Sequence, residues 1–344
     1  MRKGENERRR ARKGAGLSQL VGTALGLYGL VLILIVLVVV FALLNPNFLT
    51  VSNFKNLLEQ NSALAVVAVG ITFAIVSRNI DLSPGSIVAL TGVLIALVFK
   101  GVGSLWIAVL CGFAAAVLLY TFNALLIARL GLDPLIVTLA AWIWARGLAI
   151  SLTKANSIII RSPFIDFMNT SALFGVFSPP LFLIVIAYAV GWVILKRTKL
   201  GRYTYAIGGD ERAAIAAGID TGFYKILIFG LIGVFAAVGT VITLSRLGAA
   251  APNAAYGLEL DAIVAVIIGG NPFQGGEGSL RRTFTGVLFI ALLNNGLNNL
   301  GMRDSYFYLY KGLAIVLALL FDVIGHRLLK YERTETAVSE PSPQ

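Results

Sequence analysis

Charged residues are scarce in this sequence. Asp, Glu, Lys and Arg make up 13% of the 344 residues, whereas hydrophobic residues make up 58%. A soluble domain has about 25% charged residues, because its surface must stay hydrated. The mean hydropathy of +0.85 therefore excludes an ordinary water-soluble fold and indicates a membrane protein.

Cysteine and histidine are nearly absent, with one of each, Cys111 and His326. A single cysteine cannot form a disulfide framework or a thiolate metal cluster within one chain. His326 falls where the last apolar run ends, which is typical of a solvated side chain at the membrane interface. Neither a Ser-His triad nor a metal site can be assembled from these residues. The sequence predicts no enzyme, no metal and no cofactor.

Long apolar runs dominate the rest of the chain, and about 20 such residues cross a bilayer. None alternates with the strand period of an outer-membrane barrel, so an α-helical bundle is the remaining spanning architecture. We predict an all-α polytopic transmembrane bundle of about ten helices within residues 21–330, interrupted near Asp81 and Gly275. The predicted helices are Leu25–Leu44, Asn61–Ser77, Ser83–Phe99, Ser104–Ala128, Pro134–Leu152, Pro180–Leu195, Lys225–Ser245, Leu260–Gly270, Thr283–Leu300 and Tyr306–Ile324.

Lysine and arginine orient this bundle, because cytoplasmic loops retain them. With the N-terminus inside, about 20 of the 28 basic residues lie on the cytoplasmic side. Both termini are therefore predicted to be cytoplasmic. The net charge of +11 and the basic segment 1–20 indicate a topology signal and attraction to anionic lipid, not nucleic-acid binding. The polar tail, residues 331–344, is predicted to be disordered.

Two connecting segments are long enough to form structure of their own. Lys154–Pro180 is predicted to fold against the external membrane face. The cytoplasmic loop of residues 196–224 contains a short helix with clear start and stop signals. Asp210 is placed to cap its N-terminus, and Gly218 follows its end. Its other notable residues are the preceding Gly208 and Gly209, the acidic first-turn Glu211, and Ala213 and Ala216 in its alanine-rich body.

A helix of one or two turns is unstable alone in water, so this one needs a surface to lie on. That surface belongs either to this protein or to a partner. The segment "GRYTYAIGGDERAAIAAGI" resembles the cytoplasmic coupling segment of bacterial ATP-binding-cassette sugar permeases, the ribose, xylose and galactose importers. "GITFAIVSRNIDLSPGSIVALTG" and "LELDAIVAVIIGGNPFQGGEGSL" are similar to two further stretches of that family, and the likeness runs from Asn45 to Ile324.

The resemblance implies an inner-membrane permease that works as a homodimer and catalyses no covalent chemistry. A substrate-binding protein would deliver a monosaccharide outside, and ATPase subunits would contact the loop from Gly208 to Gly218 inside. The sequence departs from the family at Arg78-Asn79, where two glycines are usual, and at Pro84. Arg281 and Arg282 also replace small residues.

Asp81 and Ser83 lie at the interruption between the second and third helices. Either side chain can cap the orphan N–H groups at the start of the third helix, and Pro84 suits its first turn. The alternative role is a substrate contact or a gate. Arg78 is expected either to reach the inner surface or to pair with Asp81.

Four asparagines form two lanes in the ninth helix, with members four residues apart. Amide groups suit a path for a neutral sugar, but they equally suit hydrogen bonds that join helices. The residues are Asn294, Asn295, Asn298 and Asn299. Arg146 is expected to form an ion pair or to bind carbonyl groups.

Two other interpretations of the sequence concern the energy source of transport. "IIGGNPFQGGEGSLRR" is rich in glycine, but the chain has no "GxxxxGK[ST]" motif and cannot handle ATP alone. The alternative function is a secondary carrier in which Asp81 or Asp261 titrates within the membrane. Glu259 and Asp261 are more typical of a solvated helix N-terminus.

Overall fold

The structure, a computed structural model, describes residues 30–170, 178–301, 306–317 and 320. The basic segment 1–20, the end of the last predicted helix, His326 and the polar tail lie outside these residues. The helices are α1 (Leu30–Leu44), α2 (Val51–Gln60), α3 (Ser62–Val76), α4 (Pro84–Val102), α5 (Leu105–Leu130), α6 (Pro134–Thr153), α7 (Pro163–Thr170), α8 (Pro179–Arg197), α9 (Lys199–Gly209), α10 (Glu211–Ala216), α11 (Thr221–Leu247), α12 (Leu258–Ile268), α13 (Leu280–Asn299) and α14 (Tyr306–Leu317).

A helix occurs at each position where the sequence predicts one, with ends that differ by a few residues. Within the described residues, five helices are long and apolar enough to span a bilayer: α4, α5, α6, α8 and α11. The pair α2 and α3, bent by 45°, makes a sixth if it is one span. The all-α polytopic architecture is thus confirmed, and ten spans stay a prediction.

Three helices and two short strands were not predicted: α2, α7, α9, β1 (Ile158–Ile159) and β2 (Ala249–Ala250). The two strands pair antiparallel, with Ile158 opposite Ala250. β1 and α7 both fall in the segment Lys154–Pro180. This segment therefore contains regular structure.

The chain divides into two compact units, Thr50–Ala291 and the pair of segments Met1–Leu49 and Leu292–Gln344. In the first unit, α3 is apolar on every side and almost wholly buried, as expected of a central helix. α11 packs on α3 and α5, and α4 packs on α5 and α6. In the second unit, the ring of Phe41 on α1 lies directly against Gly296.

Candidate functional site

The short helix that the sequence predicts after Gly209 is present as α10. The Asp210 carboxylate accepts hydrogen bonds from the backbone N–H groups of Arg212, at 2.8 Å, and Ala213, at 3.1 Å. Asp210 is therefore the N-cap, as predicted. The Glu211 carboxylate pairs with the Lys225 ammonium at 2.6 Å, which ties α10 to α11.

Gly218 ends α10, also as predicted. Its φ is +82°, a left-handed conformation that glycine adopts without steric cost. Its N–H donates to the carbonyl of Ile215 at 2.9 Å, and the Ile219 N–H donates to that of Ala214 at 3.0 Å. These two bonds form a Schellman motif, which satisfies the last carbonyls of the helix.

α10 presents an exposed apolar face. Ala214 is buried against the protein, with 4% of its surface exposed, whereas Ala213 and Ala216 are exposed. Ile215, which the sequence analysis did not single out, is 56% exposed. The helix thus buries Ala214 against its own protein and leaves Ala213, Ile215 and Ala216 open to a partner.

Gly208 and Gly209 precede the short helix, as the sequence indicates. They are the last residues of α9, a helix that the sequence did not predict. A Cβ atom on Gly208 would collide with the carbonyl oxygen of Val76 at the end of α3, whereas one on Gly209 would meet nothing within 4 Å. Gly208 is therefore required for close backbone contact with α3.

Three chain segments meet at this contact. The Gly276 N–H donates to the Val76 carbonyl at 2.9 Å, and a Cβ on Gly276 would lie 2.8 Å from the Cα of Gly209. The Tyr205 hydroxyl donates to the Gly278 carbonyl at 2.8 Å. We call this meeting of the ends of α3 and α9 with the bend of residues 269–279 the glycine junction. The glycine junction therefore links Gly208 and Gly209, the two residues before Asp210, to the end of α3 and to the bend before α13.

The bend of residues 269–279 is held closed by Asn271, which the sequence analysis missed. The Asn271 amide accepts from the Ser279 N–H at 2.7 Å and donates to the Val266 carbonyl at 2.9 Å. It also donates to the Thr283 hydroxyl at 3.1 Å, and that hydroxyl lies 2.7 Å from the hydroxyl of Thr72. A buried network of this kind fixes the bend against α3.

Arg78 has a backbone φ of +60°, a conformation that residues with a Cβ atom rarely adopt. It packs on Gly275, where an added Cβ would lie 2.9 Å from that of Arg78. This conformation explains why the resembling family has a glycine at this position. The Arg78 side chain is exposed, the Asp81 side chain is buried, and they form no ion pair. Of the two alternatives expected for Arg78, pairing with Asp81 is therefore wrong, and reaching the inner surface stays a prediction.

Asp81 is 0% exposed, and its Oδ1 accepts hydrogen bonds from the N–H and the hydroxyl of Ser83, at 2.9 and 2.6 Å. Ser83 is the N-cap of α4 by position, but its side chain makes no capping bond. The expectation that Asp81 or Ser83 caps the first N–H groups of α4 is therefore wrong. Asp81 instead stabilises the turn before α4 through Ser83. Among the described residues, no group bonds to Asp81 Oδ2. The Tyr120 hydroxyl lies beside the Asp81–Ser83 pair.

The burial of Glu259 contradicts the sequence interpretation, whereas the contacts of Arg146 agree with it. Glu259 is 3% exposed and accepts from the Trp142 indole N–H at 2.9 Å, so it is not solvated. Arg146 donates to the carbonyls of Pro252 and Ala254, each at 2.8 Å. Trp142, 117 positions away from Glu259, gave no signal in the sequence.

The four asparagines belong to the unit that includes residues from Leu292 onward. Asn295 is buried, Asn294 is half-buried, and Asn298 and Asn299 are exposed. Asn299 donates to the Asn295 side chain at 3.2 Å, and Asn45 donates to the Asn299 carbonyl at 3.1 Å. The last bond joins α13 to the residue after α1 through the Asn45 amide and the Asn299 backbone carbonyl. It does not involve the amide of any of the four asparagines, so both roles considered for these amides stay predictions.

The arrangement of these motifs can be compared with known proteins. Residues 53–319 match the family described as "branched-chain amino acid transport system / permease component". The chain belongs to this permease family. No solved structure matches it.

Three relatives cover most of this permease. It is 38% identical over 309 residues to the ribose import permease protein of Bacillus subtilis (strain 168), covering 89% of this chain and 94% of the relative. It is 36% identical over 299 residues to the D-allose transport system permease protein of Escherichia coli (strain K12), covering 86% and 91%. It is 34% identical over 295 residues to the L-arabinose transport system permease protein of the same strain, covering 86% and 90%. The resemblance stated from the motifs is confirmed.

Proposed function

We propose that this chain is the permease subunit of an ATP-binding-cassette importer that carries a monosaccharide across the inner membrane. The similarity to permeases named for ribose, allose and arabinose, over at least 86% of this chain in each case, carries the proposal. The substrate is a neutral sugar of the ribose, xylose or galactose class. The permease provides the path and performs no covalent chemistry.

The partners follow from this role. A sugar-binding protein delivers the sugar at the outer face, and an ATPase subunit binds at the inner face. A second copy of the permease completes a homodimer, and lipid surrounds the apolar helices. Both termini are cytoplasmic, as the distribution of lysine and arginine favours.

The exposed face of α10 is the ATPase contact in this proposal. Ala213 and Ala216 allow close approach because their side chains are small, and Ile215 supplies apolar area. Asp210 and Gly218 fix the two ends of the helix. These residues, with Gly208, Gly209 and Glu211, form the coupling segment.

The glycine junction gives a route by which movement of α10 reaches the membrane helices. α9 and α10 are consecutive, and the end of α9 touches both α3 and the bend before α13. A closely packed contact without flexible side chains transmits a displacement with little loss. The route leads to the interruption at Asp81 and Ser83, which is our candidate for the gate, and the four asparagines are candidates for the sugar path.

Reconstitution tests this proposal. The permease is placed in liposomes with its ATPase, and sugar-loaded binding protein is added outside. We expect sugar accumulation that needs all three components, and ATP hydrolysis that the loaded binding protein stimulates. Accumulation by the permease alone would favour the carrier alternative, in which Asp81 or Asp261 titrates within the membrane.

A further inference from the structure

Two neighbouring cavities lie near the start of α3 and the end of α11. The larger, of 380 Å³, also borders the segment before α12. The smaller, of 200 Å³, borders α2 and the start of α8. They share Glu59, Gln60, Ile242 and Arg246. The volume of the larger cavity by itself falls in the range of about 300–1,000 Å³ that is typical of small-molecule sites.

These cavities lie at the opposite end of the helices from α10. The Val76 end of α3 contacts Gly208, whereas Leu64 near its other end lines the larger cavity. On α11, Lys225 pairs with Glu211 beside α10, and Arg246 lies about 30 Å further along the helix, at 1.5 Å per residue. In the proposed orientation the cavities therefore face the outside, where sugar arrives.

The lining offers both donors and acceptors. Asn56 and Gln60 contribute side-chain amides, and the Arg246 guanidinium donates to the backbone carbonyl of Gln60 at 3.0 Å. The Glu59 carboxylate lies 3.8 Å from the Lys55 ammonium, which offsets its charge. Ile242 supplies an apolar wall to both cavities. Amide, guanidinium and carboxylate groups above an apolar wall match the hydroxyl groups and the C–H faces of a sugar.

Ser178 is a buried polar residue at the smaller cavity. It is 2% exposed and is one of the residues that line this cavity. Within the part of the chain that the structure describes, nothing bonds to that hydroxyl. A buried hydroxyl is normally hydrogen-bonded, so the Ser178 hydroxyl is a candidate donor to a polar ligand at this cavity.

We propose that the two cavities form one binding site for a monosaccharide, which the sugar occupies on entering the permease. Arg246 and Gln60 lie at the boundary between the two cavities and bind the sugar hydroxyls, and Ser178 donates from the smaller cavity. The site rests on the proposed function, which supplies both the sugar and the orientation.

A cysteine reporter tests the site in the full complex in membrane vesicles. Asn253, an exposed residue that lines the larger cavity, is replaced by Cys in a Cys111→Ser background. The rate of its reaction with a small methanethiosulfonate reagent is measured with D-ribose, D-allose, L-arabinose or glycine betaine. We expect at least one sugar to slow the reaction by about threefold or more, since a bound ligand covers the thiol, and betaine to have no effect.

The variant Arg246→Met keeps the length of the side chain and removes its donors. It is expected to abolish the protection, whereas Arg129→Met, an exposed arginine at the end of α5, is expected to preserve it. Equal rates with and without every sugar would overturn the site, as would protection by added lipid alone. ATP-dependent uptake is measured in the same vesicles. ATP-dependent uptake without protection of the cysteine by any sugar would overturn the site and leave the importer function standing. Protection of the cysteine without ATP-dependent uptake would support the site and overturn the importer function.

Discussion

The backbone N–H of Gly276 donates a hydrogen bond to the carbonyl oxygen of Val76 at 2.9 Å. This bond joins the bend before α13 to the end of α3. Gly208, two residues before the cap of α10, lies against the same carbonyl. The carbonyl group of Val76, at the end of α3, is thus contacted by both the bend and the coupling segment.

Gly208→Ala should damage the glycine junction, because its Cβ would collide with the Val76 carbonyl. We expect a loss of stability of about 1–3 kcal/mol, as overpacking typically causes, and a clear loss of ATP-driven uptake. Gly209→Ala is the matched control, since its Cβ meets no atom within 4 Å. Uptake and thermal unfolding of both variants are measured in the same lipid. Equal uptake and equal thermal stability of the two variants would show that close contact between Gly208 and Val76 is not required.

Substitution by tryptophan on α10 should separate folding from assembly. Ala213→Trp and Ala216→Trp change exposed positions, so we expect normal membrane levels and loss of ATPase co-purification. Ala214→Trp enlarges a buried residue and should lower the amount of folded permease itself. The exposed face is not the ATPase contact if both exposed variants assemble and transport normally.

At Asp81 the needed property is a hydrogen-bond acceptor for Ser83. Asp81→Asn keeps an acceptor oxygen and should retain most uptake, normalised to permease in the membrane. Asp81→Leu leaves the buried Ser83 N–H unpaired, at a cost of about 1–3 kcal/mol, and should fail. If the asparagine variant fails as badly as the leucine variant, the charge itself is used, as a carrier or a charged gate would require.

The left-handed conformation of Arg78 leads to a prediction about stability. Arg78→Gly should raise the free energy of unfolding by about 1 kcal/mol or leave it unchanged, because glycine avoids the steric cost of positive φ. Arg78→Val should lower it, since a branched side chain suits this conformation poorly. Thermal unfolding in nanodiscs measures both. Destabilisation by glycine would mean that the arginine side chain makes a stabilising contact.

The sequence predicted α10 well because its signals are local. Asp210 bonds to N–H groups two and three residues away, and Gly218 bonds back over three residues. Long apolar helices such as α5 and α6 were also placed to within a few residues, since length and apolarity determine them.

Features that depend on distant residues were missed. α9 contains three glycines and two tyrosines within eleven residues, which is a weak helix sequence. It becomes helical where Gly201 and Gly208 pack closely on other backbone segments. Glu259 was expected in water because acidic residues favour helix N-termini. Its burial depends on Trp142 in α6, which no local pattern reveals.

The energy source tests the central claim most directly. Vesicles that contain the permease and its ATPase are supplied outside with sugar-loaded binding protein, and uptake is measured with ATP inside, without ATP, and with ATP plus a protonophore. The account predicts uptake that requires internal ATP and persists when the proton gradient is collapsed. Uptake that continues without ATP and stops with the protonophore would contradict it and identify a carrier.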